Sequence, residues 1–177
     1  MRVLGLDPGS RRTGFGVVER SGNRFRCVEH GCVIAPAGAP LPQRLHHMAH
    51  AAGAVMERVA PDAVVVEEAF FRENVRSALV LGHVRGALLV AAVQRGLAVF
   101  EYSPREIKLS VAGNGGAAKE QVGFMVRRLL ALEELPGTDA ADALAGAICH
   151  LNRSRFTAPR AATPAAKRLE ALLARAR

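Results

Sequence analysis

At 177 residues, half of them hydrophobic, the chain is long enough to bury one continuous core and too short for two domains of ordinary size. Its 24 Lys and Arg against 16 Asp and Glu leave a net charge of +8, which points to a polyanionic partner ahead of a basic surface kept for solubility. Apolar runs are broken by Arg, His or Gly before the roughly 18 residues of a membrane span, and the N-terminus reads as a strand, so a cytoplasmic protein with no membrane partner is expected.

Residues 2–6 are apolar enough for a buried strand, residues 13–19 form a second after a Gly-containing turn, and residues 24–34 form a third beyond Gly22 and Asn23. Their short connections imply antiparallel pairing. From Pro42 the period becomes helical: Leu45, Met48, Ala52, Val55, Met56 and Val59 share one face, and the pattern stops at Pro61. "DAVVVEE" (62–68) reads as a buried strand, residues 75–95 as a long helix and "LAVFEY" (97–102) as a fifth strand. Ser103 and Pro104 supply the N-cap and first-turn proline of the next helix, and two more helices follow over about 117–133 and 138–153. This order calls for an α/β fold, a mixed five-stranded sheet with helices on its faces. One domain is expected over 1–155. Residues 156–177, rich in Ala, Pro, Lys and Arg, read as a basic C-terminal tail, partly helical from Thr163 and Pro164. Cys27, Cys32 and Cys149 show no CxxC spacing, which argues against a disulfide framework or a zinc site and for buried, reduced thiols.

Acids stand where an apolar pattern does not want them. Asp7 ends the first strand just ahead of Pro8, Gly9 and Ser10; Glu67 and Glu68 end the fourth. In "GTDAADALAGAI" (137–148), Asp139 and Asp142 lie three apart on one helix face, where they repel by a few tenths of a kcal/mol, or more if partly buried. Compensation of the helix dipole is an adequate account of Asp139 alone, but Asp142, among Ala and Leu a turn further in, needs another. Convergence of Asp7, Glu67, Asp139 and Asp142 would raise their pKa values and destabilise the fold unless divalent cations sat among them. An all-oxygen ligand set selects Mg²⁺ or Mn²⁺ over zinc or copper. In a two-metal site such cations activate water and stabilise a departing 3′ oxygen, while Lys and Arg hold the nucleic-acid backbone.

"LGLDPGSRRTGFGVV", "VVVEEAFFRENVRSALVLGHVRGAL", "FEYSPREIKLSVAGNGGAAKEQV" and "TDAADALAGAICH" occur in that order over nearly the whole chain, and in this the sequence resembles the RuvC-type Holliday-junction endonucleases. The resemblance implies a ribonuclease-H-like fold and a homodimer. It implies Mg²⁺-dependent cutting of two equivalent strands of a four-way DNA junction, leaving 5′-phosphate and 3′-hydroxyl ends, in recombination and repair. It also implies association with the RuvA and RuvB branch-migration proteins. The family's four acids fall on Asp7, Glu67, Asp139 and Asp142, with two Mg²⁺ per site and Mn²⁺ as substitute. Some relatives carry His at the position of Asp139, and Glu68 falls where the family tolerates other residues. Phe70 matches a base-stacking aromatic, and Lys108 and Lys119 match basic residues near the scissile strand.

Beside that resemblance, Phe70 and Phe71 follow the glutamate pair in a segment expected to be a loop, where rings can stack on unpaired bases or else anchor the loop in the core. "AGNGGAAKE" (112–120) opens a helix with backbone N–H groups and Lys119 available to a phosphate, but lacks the GxxxxGK spacing of an ATP-binding loop. Arg72, Arg76, Arg127 and Arg128 read as solvated charges before DNA contacts. His46 and His50, four apart without acids or cysteines nearby, read as a helix surface before a metal site, and His83 and His150 as packed or hydrogen-bonded side chains. The helix over 75–95 carries more apolar surface than one stripe, enough for the core and a partner together. Three rivals stand beside the nuclease. "LGLDPGS" is similar to the phosphate loop of the actin, hexokinase and heat-shock-protein ATPases, which need two such domains and a longer chain. A non-catalytic junction-binding module would need no metal, and a related nuclease for RNA–DNA hybrids would read the 2′-hydroxyl.

Overall fold

The computed structural model describes residues 1–68 and 75–154. Five strands, β1 (Arg2–Asp7), β2 (Arg12–Ser21), β3 (Arg24–Ile34), β4 (Ala63–Glu67) and β5 (Ala98–Tyr102), form one sheet in the order β3-β2-β1-β4-β5. The three N-terminal strands pair antiparallel, as their short turns require, and β4 and β5 run parallel to β1. The helices are α1 (Leu41–Val59), α2 (Val75–Val93), α3 (Pro104–Ala112), α4 (Lys119–Leu130) and α5 (Thr138–Arg153).

Strand periodicity divides the core in two. On one face Val3, Val18 and Val65 pack with Ile107, Val126, Leu144 and Ile148 under α3, α4 and α5. On the other, Leu4, Leu6, Val17, Val64 and Val66 pack with Met48, Met56 and Leu88 under α1 and α2. Local chemistry agrees with this plan. Ser103 Oγ accepts the Glu106 N–H at 3.3 Å while Glu106 Oε2 accepts the Ser103 N–H at 3.0 Å, a reciprocal cap that starts α3 behind Pro104. Helix α4 stops at Leu130, short of the expected 133, because Ala131 turns left-handed (φ 51°) and its N–H closes on the carbonyls of Arg127 and Arg128.

The feature that positions the site is a seam of glycine. A Cβ on Gly5 would overlap the carbonyl of Ala143, and one on Gly14 would overlap that of Asp139. Bare backbone at these two points lets the first turns of α5 lie directly on β1 and β2.

Two expectations need correction. Of the three thiols only Cys149 is buried; Cys27 and Cys32 are partly exposed because β3 is an edge strand, half-covered along its length. His150 is buried and meets the Tyr102 hydroxyl at 2.9 Å through Nδ1, but His83 is exposed on α2. By length and composition α2 is apolar enough to cross a membrane. Its contacts are those of a sheet-covering helix: it packs on α1, β4 and β5, and Arg85 at its middle ion-pairs Glu101 on β5.

Candidate active site

Asp7 is the last residue of β1 and Glu67 the last of β4. The strands are parallel neighbours with Leu6 opposite Val66, so the next residue on each brings the two carboxylates side by side at the carboxyl edge of the sheet. Period-two alternation puts Asp7 on the face of Val3 and Gly5, and Glu67 on the face of Val65, the side covered by α5. The glycine seam then sets the N-terminal turns of α5 over them, with Asp139 in the first turn and Asp142 one turn on. Arg44 of α1 donates to the Ser10 carbonyl and holds the turn that follows Asp7.

Asp7, Glu67 and Asp142 line one cavity of about 290 Å³ with Glu68, Lys108 and Lys119 at its polar wall and Ile107 and Val122 at its apolar one. Asp139 is outside this lining, at the rim, where Arg12 Nε lies 3.2 Å and Cys32 Sγ 3.6 Å from its Oδ2. Lys119 Nζ is 2.9 Å from Asp142 Oδ2. Phe70, Phe71 and Arg72 lie outside the described residues, as does the tail over 156–177. His46 and His50, with ring centroids 6.0 Å apart, are exposed on α1. Among the described residues, no three His, Cys, Asp or Glu side chains close on one point as a ready-made cage. Asp7 and Glu67 repel each other at the strand ends, and the Lys119 ammonium engages Asp142.

The electrostatics record that frustration. Burial pushes the Asp7 carboxyl up to about 7, and the charges of Glu67, Asp142 and Asp139 push the same way, with Lys119 opposing. Burial and then Asp142 raise Glu67 too, against Lys119 and Lys108. The Lys119 ammonium is strengthened, first by its hydrogen bond to Asp142. A donor set made only of carboxylate oxygens, carrying uncompensated negative charge at a strand edge, fits a hard divalent cation and suits no soft metal.

Arg12 and Cys32 were not legible as site residues. Position 12 reads as one more basic turn residue and Cys32 as a core thiol; only the pairing of β2 with β3, which sets Gly14 opposite Cys32 beneath Asp139, brings them together.

Comparison with known proteins agrees with this architecture. The sequence profile of the family "Crossover junction endodeoxyribonuclease RuvC" matches residues 3–150. The Crossover junction endodeoxyribonuclease RuvC of Alkalilimnicola ehrlichii is 50% identical over 157 residues, 89% of this chain and 94% of that one. The solved structure of Thermus thermophilus RuvC superposes with a TM-score of 0.80 at 38% identity, covering 88% of this chain and 96% of that one. The structure of T. thermophilus RuvC in complex with Holliday junction substrate superposes at 0.81 with 35% identity, with the same coverage. A glycine-seamed sheet of this topology, a strand-end pair of acids beneath α5, and half-identity along nearly the full length together place the chain in the RuvC crossover junction endodeoxyribonuclease family.

Proposed function

We propose that this chain resolves four-way DNA junctions by hydrolysing one phosphodiester in each of two equivalent strands, with 5′-phosphate and 3′-hydroxyl products, in recombination and repair in the cytoplasm. The observation that carries the reading is the cavity shared by Asp7, Glu67 and Asp142 in a chain half-identical to a named RuvC. Membership of the family implies a divalent metal cofactor. Asp7, Glu67, Asp139 and Asp142 would hold two Mg²⁺, replaceable by Mn²⁺, which would supply a low-pKa water and charge for the leaving oxygen. Around that chemistry the chain's own residues bind and orient. Lys108 and Lys119 on the cavity wall take the phosphates flanking the cut, and Phe70 and Phe71 stack on bases unpaired at the crossover.

The working unit is a homodimer, since a C2 enzyme sets one site on each of two equivalent strands. Helix α2 offers the face for it. Val75, Leu79, Val90 and Val93 are exposed, and Gly82 and Gly86 between them have open space above, so the six share one stripe at helical spacing. Residues 1–155 form the nuclease domain, residues 156–177 a basic tail, and RuvA and RuvB are the partners in branch migration.

The test is cleavage of a four-way junction, a linear duplex and an RNA–DNA hybrid, each with Mg²⁺ and with Ca²⁺. Junction-selective, Mg²⁺-dependent nicking is expected, and Glu67→Gln should lower turnover by several orders of magnitude while junction affinity stays within a few-fold, because affinity comes from the basic surface. Metal-independent binding without cutting would turn the reading into a non-catalytic module, and preference for the hybrid would turn it into a different nuclease.

A further inference from the structure

Two cations already stand in the acidic notch. Lys119, at the first position of α4, holds Asp142 at 2.9 Å, and Arg12, at the first position of β2, holds Asp139 at 3.2 Å. Among the described residues, Asp7 and Glu67 at the strand ends make no such ion pair. The notch is therefore divided: the α5 half carries its own counter-ions, and among the described residues the strand half has none paired to it.

Both cations are accessible enough for exchange. Their side chains are about three-fifths exposed, at 60% for Lys119 and 59% for Arg12, on stems long enough to swing toward solvent. Both carry charge that a DNA phosphate accepts at least as well as a carboxylate does. The carboxylates they hold are less free: Asp142 has 20% of its side chain exposed and sits on a helix pinned to the sheet.

We propose that Lys119 and Arg12 are internal counter-ions that exchange between the α5 carboxylates and DNA phosphates, so that binding of divalent metal at Asp139 and Asp142 is coupled to binding of the junction. The proposal rests on the four-acid reading above. In the free protein a divalent cation must displace an ammonium or guanidinium from these acids. When phosphates arrive, the same groups gain a second anion and release the first. The coupling is reciprocal, so metal tightens DNA by the factor by which DNA tightens metal. Arg12 and Lys119 thereby act as positioning residues. They keep the α5 half neutral until DNA phosphates are present.

The experiment is calorimetric titration of Ca²⁺ into the full chain, alone and with a saturating four-way junction verified as intact at the end of the run. In the natural sequence the junction should tighten Ca²⁺ binding by about tenfold, within the usual range of coupling between sites. Lys119→Met and Arg12→Met, which keep an apolar stem and lose the charge, should bind Ca²⁺ at least about fivefold tighter without DNA and gain correspondingly less from the junction. Lys119→Arg and Arg12→Lys, which keep the charge, should bind Ca²⁺ in the absence of DNA within about twofold of the natural chain. Since the two side chains are exposed and on different elements, melting curves will identify any variant that has lost its fold, and the other still decides. Equal or weaker Ca²⁺ binding by the neutral, folded variants overturns the exchange. Absence of Ca²⁺ binding by the natural chain, with or without junction, overturns the four-acid reading instead.

Discussion

Removing the Asp7 charge should make the metal-free protein more stable. Burial, then Glu67, Asp142 and Asp139, lift this carboxyl from an ordinary 3.8 to about 7. A raised folded-state pKa means that the native protein keeps a proton which the unfolded chain releases, so the associated stability is complete below about pH 4 and is lost as pH rises through 7. At about 1.4 kcal/mol per unit, a lift of about three units amounts to roughly 4 kcal/mol forfeited by pH 8. Asn at position 7 keeps the shape and sheds the charge, but its amide still resists burial, so a gain of about 2 kcal/mol is expected, or about 4–8 °C in Tm for a chain of this size. Thermal unfolding followed by circular dichroism in EDTA, at pH 8 and pH 5, checks it. The Asp7→Asn advantage should be clear at pH 8 and shrink at pH 5, and millimolar Mg²⁺ should raise the natural protein's Tm more than the variant's. An Asn variant no more stable than the natural chain at pH 8 in EDTA would refute the reasoning.

The glycine seam predicts the opposite outcome for a gentler change. Gly5→Ala drives a methyl into the Ala143 carbonyl, and overpacking of about 3 kcal/mol with loss of the Mg²⁺-induced rise in Tm should appear in the same melting assay. His150, buried between Phe100 and Tyr102, has its pKa lowered by desolvation, so the unfolded chain takes up a proton that the native one excludes. Stability tied to it is present above about pH 6.5 and lost as pH falls below that value. His150→Gln should cost about 2 kcal/mol at neutral pH yet flatten the acid limb of a urea-denaturation profile. Phe70→Ala should slow cutting of a closed junction more than of one with pre-opened bases at the crossover, measured as the ratio of single-turnover rates; an equal effect on both would assign the ring to packing.

Much of the fold is written locally. The helical face beginning at Leu45, the Ser103-Pro104 start of α3 and the short turns among the first three strands each follow from nearest-neighbour chemistry, and the structure places them within a few residues of expectation. Asp7 and Glu67 were legible for a related reason: a carboxylate at the end of an apolar strand contradicts its surroundings, and the contradiction is visible in one dimension. Asp142 announced itself in the same way among Ala and Leu. Other features depend on which strand lies beside which. The rim position of Asp139 needs the first turn of α5 to overhang Gly14, and its contacts with Arg12 and Cys32 need β2 beside β3. The exposure of Cys32 follows from β3 ending the sheet, and strand order is not a property of any single segment.

Because α5 carries Asp139 and Asp142 and seats itself on bare strand backbone, the acidic notch is assembled only once α5 has been made. A nascent chain on the ribosome can pair β1, β2 and β3 early, yet it holds only Asp7 and Glu67 until residues 138–153 have cleared the exit tunnel. An incomplete product released from the translating complex would thus carry the strand-borne pair of carboxylates without the pair from α5.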